Sequence, residues 1–596
     1  MNSFDYVSDW SEYAYPETND ITFESTIKSV YRKVDLRAKK FAAGGIPILV
    51  KDNIAYLNDA DQNTLIFGQT GSKKTRTTIG PMIIMAAGAG ESSFVTDVKG
   101  ELSSNPKIMG FLADHGVNTV LIDFRTFDQD GFNILEHAYK QYKAGNKEKA
   151  MAECAVLLNM LGLKYERGAK DPFWHGNAKQ YLRPLLEMVF RMGVETGCDE
   201  KVNLLSLSSL SNRSTSDVIG GIFRQTPEVF FEKLMPNNVA SLRTVVDNPP
   251  NTMANILSTV QTMLEEFTLQ PDLTRMLSKT TFDVASMYEK PTCVFLIVPD
   301  ETSAYDATAG MLIDNFYNTL VETYGKQYMN KHEPKCRINF ICDEFCNLSV
   351  NDMKAKISAS RGRAMRWYLV CQSLNQLETT YGSAAGTIIG NCQNTLFLQS
   401  CDESLLDYIC RLCGTTEISR SGSERLVTPE MLKSLRKERL YKEALYINEQ
   451  VHFFAKLPDI DSYDFLNKYN SRTNRGCSSG KNNFGDLSEF NVNDIRSVFS
   501  LSEKTQLDFD DFDYYEAEEE DCDDEDYEQP CDDEEDLFAD RYDYEDYEPI
   551  DLFDDEDDDD NDGLVESDCG WFDGSESDDD NSDDNSDDNS DDNSDE

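Results

Sequence analysis

The chain lacks several things before it offers any. No run approaches the roughly 20 apolar residues that span a bilayer, and the N-terminus "MNSFDYVSDWSEY" is acidic and polar. That combination excludes a membrane span or signal peptide of the ordinary kind and points to a chain that stays inside the cell. There is no cysteine framework either: the 15 cysteines are scattered, many inside apolar runs such as "INFICDEF" and "WYLVCQS". Such thiols read as buried and reduced. The one Cys-x-x-Cys, Cys410 with Cys413 in "YICRLCG", has no second pair and no nearby histidine, so it reads as a buried helical face and not as a zinc site. Basic residues are almost missing from one region. From Asp508 onward 48 acidic residues meet a single base, Arg541, so this tail carries −47 of the formal charge of −53. The body is left near −6, an ordinary value that leaves room for local basic patches.

What is present is an alternation of apolar runs and helical patterns. The runs are "NTLIFG" at 63, "SSFVTDVKG" at 92, "NTVLIDF" at 118, "TCVFLIVPD" at 292, "RINFICDEF" at 337, "RWYLVCQS" at 366 and "NTLFLQS" at 394. Several are continuously apolar, as strands buried on both faces must be. With helices between most of them, a mostly parallel α/β sheet is expected. Residues 1–45 read as a polar lead-in, and 46–140 and 286–469 as the two parts of the α/β domain. Between them, 141–285 offers amphipathic patterns such as "NKEKAMAECAVLLNMLG" and no convincing strand, which predicts an inserted all-α domain. "LYINEQVHFFAKLP" at 445 reads as two strands with a turn near Asn448 and Glu449. Residues 470–596, ending in "SDDNSDDNSDDNSDE", have too little apolar surface to offset ordering entropy, and a disordered linker and tail are expected.

The chemistry begins in "LIFGQTGSKKTRT" at 65. A phosphate loop, G-x-x-x-x-G-K-[ST], needs glycines so that backbone N–H groups curl round phosphates, a lysine for the outer phosphates and a hydroxyl for Mg²⁺. Counting from Gly68 gives Gln69, Thr70, Gly71 and Ser72 as the loop, Lys74 as the lysine and Thr75 as the hydroxyl. Lys73 stands where the last glycine belongs. If that position is left-handed, its side chain costs about 1–3 kcal/mol, and it would in return bring a second positive charge to the phosphates. Downstream, "CRINFICDEFCNL" ends an apolar strand in Asp343 and Glu344. The first would hold Mg²⁺ through water, the second would orient and deprotonate an attacking water. Gln372, ending the strand of "RWYLVCQS", is placed to sense the γ-phosphate. Arg361 and Arg363 precede that strand, where one could act as a finger on a neighbouring subunit's nucleotide or simply lie on the surface.

Taken in order, "DEFCNL", "SASRGRAMRWYLVCQSLNQLETTYG" and "IIGNCQNTLFLQSCDESLLDYICRLCG" resemble the core of the TraG-like type IV secretion coupling proteins, conjugative DNA transfer ATPases related to the FtsK and HerA motors. "TDVKGEL" at 96, "DPFWHGNAKQYLRPLLEMV" at 171 and "VTPEMLKSL" at 427 extend the resemblance from about 60 to 460. It implies a RecA-like P-loop NTPase with an inserted all-α domain, a homo-hexameric ring, and ATP with Mg²⁺ bound between subunits. Lys74, Thr75, Asp343, Glu344 and Gln372 match the family's nucleotide motifs. The implied partners are single-stranded DNA held without sequence preference, a relaxase, and the components of a secretion channel. Family members commonly begin with transmembrane helices; here attachment to the inner face of the cell membrane would come from a partner, or the chain is a soluble branch of the family. Three functions stay open: a DNA-transfer motor, a recruitment protein that binds ATP but has lost turnover through Lys73, and a P-loop motor for other work such as phage DNA packaging. The tail reads either as a solvating appendage, as a DNA mimic, or as a dock for a basic partner.

Overall fold

The structure, a computed structural model, describes residues 21–166, 173–225, 235, 238–329, 331–418, 422–449, 451–469, 484 and 488–499. Contacts divide the chain into Met1–Asp513 and Tyr514–Glu596; the second unit, and with it the acidic tail, lies outside the described residues.

The centre of the first unit is a nine-stranded sheet. Its strands are β4 (Asn63–Gly68), β5 (Ser92–Thr96), β6 (Asn118–Asp123), β7 (Thr292–Ile297), β8 (Ile338–Cys342), β9 (Met365–Cys371), β10 (Cys392–Gln399), β13 (Tyr441–Ile447) and β14 (His452–Pro458). In space they run in the order β14-β13-β10-β4-β9-β8-β5-β7-β6. All seven apolar runs of the sequence are strands here, and all pair in parallel. The β13–β14 hairpin is added antiparallel beside β10, at the edge where a crossover is not needed.

The continuous apolar character of the strands follows from burial on both faces. Successive residues of β4 enter different cores: Leu65 and Phe67 belong to the one on the first face, where Phe67 meets Tyr408, and Ile66 to the one on the other face. The first face carries Asp306–Gln327, whose Phe316 meets Phe94 of β5 at 4.8 Å, and its core continues into the helices Lys147–Glu166 and Phe173–Thr196; the second carries Gly80–Ala89 and Pro106–Asp114. Each such Leu, Ile or Phe contributes about 1.5–3 kcal/mol. Register is fixed where β8 and β9 exchange aromatic side chains. Phe340 and Trp367 are cross-strand partners with rings stacked 4.1 Å apart, and the Trp367 indole donates to Ser360 Oγ at 2.7 Å.

Between Glu136 and Tyr288 the described residues form helices and no strand. A second, three-stranded antiparallel sheet, β1 (Arg32–Asp35), β2 (Ile46–Lys51) and β3 (Ile54–Asn58), precedes the main one in sequence, and a small hairpin joins β11 (Thr415–Ile418) to β12 (Gly422–Arg425). The polar lead-in is thus partly structured: from Ile21 onward Ile27, Val34, Leu36 and Phe41 are buried against the second face of the large sheet.

Candidate functional site: strand ends around a phosphate loop

In a parallel sheet all carboxyl ends lie on one side, and side chains leaving adjacent strands converge there. β9 lies between β4 and β8, so three chain segments meet. Phe67 pairs with Cys371, and the next residues, Gly68 and Gln372, leave the sheet together. Cys342 pairs with Leu369, which brings Asp343 and Glu344 beside them.

The loop after β4 has the backbone its sequence requires. A β-carbon on Gly68 would stand 2.7 Å from Ser72 Oγ, and Gly71 has φ 79°, so both glycines are dictated by space and conformation. Gln69 N–H is donated to Gln399 O at 3.0 Å, tying the loop to β10. Thr75 opens the helix. Its first turn, Thr75–Ile79, is wound as a π-helix before the α-helix Gly80–Ala89 continues, a local form frequent at functional sites. At this helix start the Arg76 and Thr77 N–H groups are donated to Lys73 O, at 3.0 and 2.9 Å, and the positive end of the helix dipole faces the loop.

Lys73 is the anomaly of the sequence and remains one in the structure. Its φ is 66°, so the position is left-handed and a non-glycine residue is strained there. The side chain, however, is directed to the segments on either side of the β13–β14 hairpin. Its ammonium donates to Arg439 O at 2.7 Å and to Asp459 Oδ2 at 3.1 Å. Asp459 is buried and also receives Arg76, at 2.6 Å to Oδ1 and 3.0 Å to Oδ2, while Arg76 reaches Asp461 as well. Arg76 is held firmly cationic, first by its hydrogen bond to Asp459. The charge that the sequence seemed to add at the phosphates is therefore spent on an anchor. Nothing in the spacing of "LPDIDSYD" marks Asp459, since its partners lie more than 380 residues earlier; a lone acid after a strand carries no such signal.

Lys74 lies at the centre of the cluster. Its ammonium meets Glu344 Oε1 directly and Asp343 Oδ1 at 3.4 Å. Glu344 Oε2 accepts from Gln372 Nε2 at 2.7 Å, so the loop and both neighbouring strand ends are joined in one network. Burial alone would lower the lysine, but Asp343 and Glu344 beside it hold its pKa above the ordinary value. Burial pushes the Asp343 carboxyl up to about 6, against the pull of Lys74 and with the repulsion of Glu344. Glu344 itself sits at φ 50°, strain of the kind that accumulates at reactive positions, and its N–H is donated to Asp343 Oδ1 at 3.0 Å. Thr96 Oγ1 fixes the same turn by donating to Asp343 O at 2.9 Å.

The donor set suits a magnesium nucleotide. Two carboxylates face one ammonium, which leaves negative charge for a hard divalent cation. The buried Ser72 hydroxyl has no hydrogen-bond partner, so a polar group brought into the loop would satisfy it. Arg361 and Arg363 do not join this cluster. They form a turn of 3-10 helix at the amino end of β9, and β9 spans about 20 Å at ~3.3 Å per residue. Arg361 is exposed, and Arg363 donates to Ala359 O. Asp97, from the "TDVKGEL" segment, caps its own turn: it accepts from Leu102 N–H, Ser103 N–H and Ser103 Oγ.

Among solved structures, the bacterial conjugative coupling protein TrwBdeltaN70, in a trigonal form with sulphate, is similar with a TM-score of 0.50. Identity is 16%, over 74% of this chain and 93% of that one. TrwB in complex with the non-hydrolysable ATP analogue ADPNP gives 0.49 at 15% identity, over 73% and 92%. VirB4 of Thermoanaerobacter pseudethanolicus gives 0.38 at 14%, over 70% and 96%. No curated protein matches the sequence. The first of these likenesses shows the fold, a RecA-like α/β sheet of the coupling-protein kind. The model of the family described as type IV secretory system conjugative DNA transfer matches residues 18–451, well over half of the sequence, and the chain belongs to that family.

Proposed function

We propose that the chain is the coupling ATPase of a conjugative type IV secretion system, bringing relaxase-bound single-stranded DNA to the transfer channel and using ATP hydrolysis to support its passage. The observation that carries this reading is the Lys74–Glu344–Gln372 network at three adjoining strand ends, in a member of the conjugative transfer family. ATP would be cradled by residues 68–75, and Mg²⁺ would be held by Thr75 and Asp343, where it would supply neutralisation of phosphate charge. Phosphate oxygens entering the loop compete with Glu344 for the Lys74 ammonium. Release from Lys74 leaves Glu344 free to orient and deprotonate water, with Gln372 still holding its other oxygen.

Arg361 and Arg363, far from their own loop, serve in this reading as fingers on the nucleotide of the next subunit in a homo-hexamer. The nucleotide-binding domain comprises 46–140 and 286–469, with 141–285 as its all-α insertion. No helix among the described residues is long and apolar enough to cross a membrane; in this reading the chain works at the inner face of the cell membrane, attached through a partner. The test is ATP turnover of the purified protein, with and without single- and double-stranded DNA, beside Lys74→Ala. DNA-stimulated turnover lost in the variant supports the motor. The strained Lys73 favours a second reading, a recruiting protein that binds nucleotide without turning it over; binding with no turnover under any DNA condition would select it.

A further inference from the structure

The phosphate loop has a neighbour that sequence spacing does not reveal. At 436–441 the chain doubles back: Lys437 and Lys442 form an antiparallel bridge, and Glu438 N–H is donated to Tyr441 O at 3.0 Å. The turn is rigidly supported. The buried Lys442 ammonium donates to Leu435 O at 3.0 Å, and the buried Glu443 carboxylate accepts from Arg436 N–H and Nε, each at 2.7 Å. It is also fixed to the loop and to the segment behind it. Lys73 reaches Arg439 O, while Asp459 N–H and Ser462 Oγ both donate to Leu440 O at 2.8 Å.

The consequence is the position of Lys437. A β-carbon built on Gly71 would lie 3.9 Å from the Lys437 ammonium, with nothing else within 4 Å. Lys437 is exposed, and among the described residues no carboxylate lies in ion-pair range of it. Lys74, by contrast, is buried on the carboxylate side of the same loop. An anion seated against the Gly71 backbone would meet the Lys437 ammonium, with Lys74 three residues further along the same loop.

We propose that Lys437 is a second phosphate-binding residue of this site, closing over the polyphosphate from the solvent side, and that Lys73 acts as the strut that holds its turn in place. The inference rests on the proposed nucleotide-binding role of the loop. It gives the lysine at the strained position a role: the side chain acts not at the phosphates but at the turn that carries another lysine to them. A compact ammonium on a flexible stem suits phosphate as a point charge.

The test is equilibrium binding of fluorescent ATP to the full chain, with inorganic triphosphate and adenosine as competitors. Wild type is compared with Lys437→Ala, Lys437→Arg and Lys74→Ala. Lys437→Ala is expected to weaken ATP and triphosphate about tenfold, the scale of one charge-assisted contact, without lowering the melting temperature. Adenosine competition should not change, and Lys437→Arg should restore most of the loss. Unchanged triphosphate affinity in Lys437→Ala, with Lys74→Ala still defective, overturns the role of Lys437 and leaves the nucleotide site standing. A wild-type chain that binds neither ATP nor triphosphate overturns both.

Discussion

Restoring the missing loop glycine by Lys73→Gly separates strain from anchoring. At φ 66° the lysine backbone is about 1–2 kcal/mol less favourable than glycine would be, and the substitution recovers that amount. Against it, glycine adds about 0.5–1 kcal/mol of conformational entropy to the unfolded chain. The two ammonium bonds, to Arg439 O and to Asp459, contribute about 1.5–3 kcal/mol together, since the side chains are only 16% and 2% exposed. Asp459 keeps Arg76, so no buried charge is left without a partner. The balance is a net loss of about 1–2 kcal/mol for Lys73→Gly. Lys73→Ala should be less stable still, because it loses the bonds and keeps the strain. Urea denaturation of the three proteins, with Asp459→Asn closing a double-mutant cycle, measures both terms. If Lys73→Gly proves more stable than the wild type, the anchor does not offset the strain and the reasoning fails. Turnover measured on the same proteins speaks to function: a gain in hydrolysis with unchanged nucleotide affinity in Lys73→Gly would favour the recruitment reading.

Two further outcomes are expected from other parts of the molecule. Glu187, buried in the helix Phe173–Thr196 and accepting from Asn238 Nδ2 at 2.6 Å, has its carboxyl pushed up to about 7 by burial. The folded form holds its proton where the unfolded chain has released it. Stability contributed at low pH is therefore lost as pH rises from about 4.3 to about 7, by at most about 4 kcal/mol. Glu187→Gln should remove that slope; identical pH profiles of the two melting curves would exclude it. If Arg361 or Arg363 acts on a neighbour, replacing the active one by alanine lowers turnover about a thousandfold. Mixing that protein with Lys74→Ala then recovers activity that neither has alone, because each supplies what the other lacks; no recovery on mixing argues against a trans role.

The sheet was legible because burial on both faces leaves a strong local mark. Runs such as "TCVFLIVPD" and "RWYLVCQS" announce β7 and β9 by composition alone, and the β13–β14 hairpin was visible in its two runs and turn. The small sheet was not. β1, "RKVD", buries only Val34, too little to stand out from a polar segment, whereas β2, "IPILVK", carries as continuous a buried apolar run as the main strands and was the signal from which this sheet could have been found. The hairpin of β11 and β12 is equally brief. Strand order was also absent from the runs themselves, since pairing is set by contacts hundreds of residues apart.

The same division explains the site. Lys74, Asp343, Glu344 and Gln372 were readable because a parallel sheet places every strand's carboxyl end on one side, so a residue that ends a strand is already located in space. Lys437 and Asp459, the partner of Arg76, owe their positions to a different cause. They depend on β13 and β14 folding back beside β10, antiparallel to it, which returns the segments before and after the hairpin to the phosphate loop. Lys73 belongs to both groups, for its place in the motif is local while its partners are not. A departure from a motif in one segment can thus be the visible half of a contact whose other half, here Asp459 and the Arg439 carbonyl, lies in a segment with no motif at all.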